Sequence, residues 1–104
     1  MGYTRPVGFS LKPVGPRQRL TVDDTAGGVA LTVPSGALTG FGRLETAAIR
    51  FTLDSTAPTS TAGQVLNADD TVSFTNRKSL TGFLAIRTTG TNGVFDIEYF
   101  GADY

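Results

Sequence analysis

Asp96 and Glu98 are the acidic residues of this chain whose spacing could do chemistry. Two apart on an extended strand, they share one face with Cα atoms about 6–7 Å apart, which resembles a glycoside hydrolase carboxylate pair only superficially. The residues favour a plainer reading, cross-strand pairing with Arg50 or Arg87 on the same solvent-facing side. Asp23-Asp24 and Asp69-Asp70 could offer oxygens to Ca²⁺, but neither sits in a D-x-[DN]-x-[DN]-G loop with a distal Glu, so turn chemistry is the expectation. The serines at 10, 35, 55, 60, 73 and 79 have no histidine to act as base, and no G-x-S-x-G elbow occurs. With no His and no Cys, imidazole and thiolate chemistry are missing from the sequence. Gly27-Gly28 and Gly90 to Gly93 lack the spacing of phosphate-binding loops. Arg17, Arg19 and Arg77-Lys78 would form a basic contact patch if the fold gathered them, and are otherwise solvated charges. The expectation is a non-enzymatic protein with no cofactor and no metal.

The elements that must position these residues are strands. Thirteen Gly and sixteen Thr in 104 residues favour turns and strands over helices, and helix content should be negligible. Hydrophobic residues make up 39%, a thin supply for a lone core, and the absence of Cys removes any disulfide staple, which points to help from oligomerisation. Nine Lys plus Arg balance nine Asp plus Glu with no run of either sign, so neither nucleic acid nor an acidic partner is indicated. No window approaches the roughly 20 apolar residues of a membrane helix, and Met1 to Pro16 holds no apolar core of a secretory signal, so a soluble chain is expected.

Residues 1–17 carry Pro6, Pro13 and Pro16 with Gly2, Gly8 and Gly15, which forbids helix and permits extended or edge-strand backbone. This reads as an N-terminal arm, presenting Tyr3, Val7, Phe9 and Leu11 to its own domain or to a neighbouring subunit. Residues 18–104 read as a single domain. Arg17 to Val22 and Val29 to Val33 form a hairpin about Asp23 to Gly28; Ala37 to Glu45 is ambiguous; Ala47 to Leu53 alternates with Ile49 and Phe51 on one face. After a polar loop over Asp54 to Gly63, Gln64 to Leu66 is a short segment and Val72 and Phe74 point inward. Gly82 to Thr88 buries Leu84 and Ile86, and a turn at Gly90 to Gly93 closes a final hairpin whose second strand buries Phe95, Ile97 and Tyr99. Short strands at this spacing give an all-β fold, a single antiparallel, jelly-roll-like β-sandwich with the arm appended. Phe100 and Tyr104 join Tyr3, Val7, Phe9 and Leu11 as candidate protein-interface residues, because aromatics give large contact area at small entropic cost.

The run Ile49-Arg50-Phe51-Thr52-Leu53-Asp54-Ser55-Thr56-Ala57-Pro58-Thr59, with Gly63, Leu66, the Asp69-Asp70 turn and Phe83 to Arg87, resembles small structural proteins of tailed bacteriophages, including β-sandwich head decoration or cement proteins. Where such proteins commonly show Asp-Gly in the first loop, this chain has Asp54-Ser55. The resemblance implies a virion protein on the capsid surface, made in the host cytoplasm, whose partners are the major capsid protein and identical copies of itself. A tail or head-tail connector subunit would use the same fold in a ring. Thr52 to Pro58 is also similar to the T-x-D-G-S-T-P segment of β-sandwich modules attached to carbohydrate-active enzymes, which keeps a glycan-binding module open, although no Trp is present to form a sugar platform.

Overall fold

Residues 10–103 are described by the structure, a computed structural model, and they form an all-β fold of two antiparallel sheets. Among the described residues there are nine strands: β1 (Ser10–Pro13), β2 (Gln18–Val22), β3 (Val29–Ala30), β4 (Thr39–Glu45), β5 (Ile49–Thr52), β6 (Gln64–Leu66), β7 (Thr71–Phe74), β8 (Leu84–Arg87) and β9 (Gly93–Asp103). A five-residue helix, α1 (Arg77–Thr81), lies between β7 and β8, and no helix among the described residues is long and apolar enough to cross a membrane. Sheet A has the order β1-β9-β4-β7, with β2 also paired to β9; sheet B has the order β3-β8-β5-β6. From β2 onward, every connection except β5 to β6 therefore carries the chain from one sheet to the other.

The core forms because alternation along the strands sends one side chain in two toward the opposite sheet. Phe95, Ile97 and Tyr99 of β9, Leu44 of β4 and Phe74 of β7 meet Ile49 and Phe51 of β5, Leu66 of β6 and Ala85 of β8, all 6% exposed or less. Four rings link the sheets: Phe83 stacks on Phe95 at 5.3 Å and on Phe51 at 5.8 Å, with Phe74 edge-on to Phe83 at 5.5 Å. Each buried ring contributes about 1.5–3 kcal/mol by leaving water, with about 0.5–1.5 kcal/mol more per aromatic pair. Tyr99 is held in place by a hydrogen bond from its hydroxyl to Gln18 Oε1 (2.6 Å), and burial pushes its pKa up to about 12. Asn76 caps α1 by accepting from Ser79 N at 2.8 Å, and Leu80 of the helix is fully buried.

Several sequence expectations change here. The segment from Ala37 to Glu45, ambiguous in sequence, contains the seven-residue strand β4. Its inward positions Gly40 and Gly42 leave room that Leu80 and the Phe95 ring occupy, so the hydrophobic signal of this strand sits on its partners. The two expected hairpins do not form. β2 pairs with β9 in sheet A while β3 pairs with β8 in sheet B, and β8 and β9 likewise lie in different sheets. Gly and Asx residues reverse a chain without deciding which sheet receives it. Contacts to other loops fix the outcome: Arg87 N donates to Asp23 O, Thr88 N to Ala48 O, and Thr46 Oγ1 to Asn92 O. In β8 the expected faces are exchanged. Phe83 and Ala85 are fully buried, whereas Leu84 and Ile86 lie half-buried on the outer side, because the Phe83 ring fills the space between Phe51 and Phe95.

Candidate interaction face

The two sheets expose their outer faces differently. On sheet B, Arg50 and Thr52 are the outward residues of β5, and both donate to main-chain carbonyls of the loop over residues 54–63. Arg50 Nε and NH1 reach Ser60 O (3.2 Å) and Gly63 O (2.8 Å), and Thr52 Oγ1 reaches Thr56 O at 2.5 Å. Pro58 is buried in this loop, close to where side chains on Gly28 or Gly63 would lie. Thr59 and Ala62 exchange backbone hydrogen bonds at 2.9 and 3.2 Å, which gives the loop internal structure. Asp54 opens it as an Asx turn, and hydrogen bonding from Thr56 holds its carboxyl below the usual range. Between this loop and Asp24, Ala26, Gly27 and Ile86 to Thr89 runs an open groove of about 490 Å³.

The outer face of sheet A carries no such cover among the described residues. The cross-strand register there sets Leu11 opposite Ala102, and Pro13 and Thr39 on either side of Phe100. Phe41 stands opposite Glu98 and is 50% exposed; Leu11 is 44% exposed. Leu11, Pro13, Phe41, Phe100 and Ala102 thus form an apolar half. Toward the start of β9 the same face becomes charged: Arg19, Asp96 and Arg43 lie in one row across β2, β9 and β4, with Arg17, Glu98 and Glu45 beside it. Arg19 donates to Asp96 Oδ2 (2.7 Å) and Glu45 Oε1 (3.1 Å), and Arg43 to Asp69 Oδ1 (2.7 Å). The hydrogen bond to Glu45 and the charge of Asp96 raise the Arg19 pKa above its ordinary value. Asp96 Oδ1 is buried and has no hydrogen-bond partner among the described residues.

Of the residues singled out in the sequence, Leu11 and Phe100 are brought to one patch, as diagonal neighbours across the β1–β9 pair. Tyr3, Val7, Phe9 and Tyr104 lie outside the described residues. Within the arm, Ser10–Pro13 is an edge strand of the chain's own sheet A, and Val14 N donates to Tyr99 O. The expected partners of Asp96 and Glu98 are corrected. Arg50 and Arg87 belong to sheet B, and Asp96 pairs with Arg19 across β2. The basic residues are not gathered either: Arg17 and Arg19 lie on sheet A, while Arg77 donates to the carbonyls of Pro34 and Ala37. The acidic doublets do serve turns, since Asp23 accepts from Thr25 and Asp70 from Asn67 N; hydrogen bonding from Thr25 lowers the Asp23 pKa. No group of three acidic side chains able to hold a metal ion occurs among the described residues. Phe41 escaped sequence reading. Its signal is the Gly40-Phe41-Gly42 pattern, in which two inward glycines turn the ring between them outward. No protein-family description, no curated protein and no solved structure matches the chain.

Proposed function

We propose that this chain is a non-enzymatic virion structural protein of a tailed bacteriophage, a decoration or cement subunit that binds the major capsid protein shell together with identical copies of itself. The observation that carries this reading is the uncovered apolar half of sheet A's outer face, where Leu11, Pro13, Phe41, Phe100 and Ala102 meet solvent on a chain otherwise thin in hydrophobic residues. The strand orders β2-β9-β4-β7 and β3-β8-β5-β6 favour a jelly-roll-like sandwich, an architecture that recurs in viral capsid proteins. Fold alone does not assign function, and the sequence resemblance of the Ile49–Thr59 run supplies the second support. Many copies on a symmetric shell let individually weak contacts hold firmly.

The test is co-sedimentation of the full chain with capsids assembled without it, imaged in parallel. Stoichiometric added density at fixed lattice positions, with a raised shell melting temperature, is the expected outcome. Absence of binding, with rings formed by the free protein, would replace this reading with a connector or tail subunit; a shift of tyrosine signals by sugars without shell binding would replace it with a glycan-binding module.

A further inference from the structure

We infer that the β9 and β1–β2 part of the outer face of sheet A is occupied by a second copy of this chain, packed face to face about a two-fold axis parallel to the strands. This deepens the structural-subunit reading and rests on it only for the biological use of the dimer; the pairing itself rests on charge. Where the copies overlap, on β9 and the β2 edge, the face carries Arg17 and Arg19 against Asp96 and Glu98, so the charges there balance, while Arg43 on β4 pairs with Asp69. A partner of single sign, such as a nucleic acid or an anionic membrane, gains nothing from such a face, whereas a copy of the same face can complement it. An axis between β9 and the β1–β2 edge sets each residue over the cross-strand partner of its equivalent. Arg19 then lies over Asp96 of the second copy, Pro13 over Phe100, and Leu11 over Ala102. One step along the same register, Arg17 lies over Glu98, and these two form no ion pair within one copy among the described residues. Asp96 Oδ1, which lacks a donor inside the copy, gains one from the incoming guanidinium as the Arg19 and Arg43 side chains move aside. With this axis the copies overlap over β9 and the β1–β2 edge, roughly 30 Å by roughly 10 Å, well below the about 800 Å² per partner of a standard interface and leaving β4 outside it, so the dimer is weak.

Sedimentation equilibrium of the full chain from about 10 μM to about 1 mM tests this, a range that brackets a weak association. Concentration-dependent dimerisation is expected, with Arg17→Glu or Glu98→Arg alone weakening it about tenfold or more and the double reversal restoring it to within about threefold. Circular dichroism of each variant separates lost pairing from lost folding. A chain monomeric throughout, or a dimer indifferent to the single reversals, overturns the inference. The capsid assay answers separately: shell binding by a strictly monomeric chain keeps the cement reading and removes this one, and a dimer that ignores shells does the reverse. If Phe100→Asp abolishes shell binding by a monomeric chain, the face belongs to the shell and the second copy is excluded from it.

Discussion

The outer face of sheet B is covered over β5 by the chain's own loop, with Val65 of β6 left 48% exposed beside it, whereas the outer face of sheet A is left to its side chains. The difference lies in what the charged residues bind. Arg50 spends its guanidinium on two main-chain carbonyls, fixing a segment of backbone over the sheet. Arg19 and Arg43 instead bond carboxylates beside them on the same surface, and both arginine side chains are more than half exposed. Lateral ion pairs in water are screened and cost side-chain entropy, so sheet A's outer face adds little to stability. One face is tied into the fold by its loop; the other carries ion pairs along its own surface.

That contrast breaks first at Gly42. If sheet A is held by its inner side alone, the most damaging single change in it is Gly42→Ala, whose Cβ would collide with the Phe95 ring between the sheets. A loss of about 3 kcal/mol or more is expected, read as a drop in urea midpoint. A melt unchanged within error would mean that the Phe95 ring has room to move, and that the core under sheet A is looser than its stacked rings imply. Arg50→Met comes next, removing both donors that pin the loop over sheet B while keeping the aliphatic stem. A loss of about 1–2 kcal/mol is expected, with limited proteolysis now cutting within residues 54–63. Protection equal to that of the parent chain would show that Pro58 and Thr52 hold the cover without the arginine, and that the two faces differ less in construction than their hydrogen bonds suggest.

How far these faces could be read in advance depended on where the signal resided. Strands whose own inward residues are large were legible from alternation: Ile49 and Phe51, Val72 and Phe74, and Phe95, Ile97 and Tyr99. β4 was not, because Gly40 and Gly42 hold space for Leu80 and Phe95 instead of filling it. β8 offered two apolar parities, Phe83 with Ala85 or Leu84 with Ile86, and only the ring stack across the sheets chooses between them. The turns at Asp23 to Gly28 and Gly90 to Gly93 were legible as reversals, yet which sheet receives the strand is set by contacts far away in sequence, such as Arg87 N to Asp23 O. The interaction face inherited that uncertainty. Leu11 and Phe100 stand out individually, but their meeting, and the addition of Phe41, require the β1-β9-β4 pairing.

The smallest expected effect concerns the joint of the covering loop. Ser55 sits at φ 68°, in the left-handed region where a side chain is strained, and its N–H donates to Gly82 O at 2.9 Å. Glycine adopts this backbone freely. Ser55→Gly should therefore relieve local strain at a site where the larger entropy of an unfolded glycine opposes part of the gain. A net stabilisation of about 0.5–1 kcal/mol is expected, seen as a rise in Tm with loop protection from protease unchanged. A lower Tm would mean that the Ser55 side chain contributes to the cover over sheet B, making that face depend on the serine at its hinge as well as on Arg50 and Thr52.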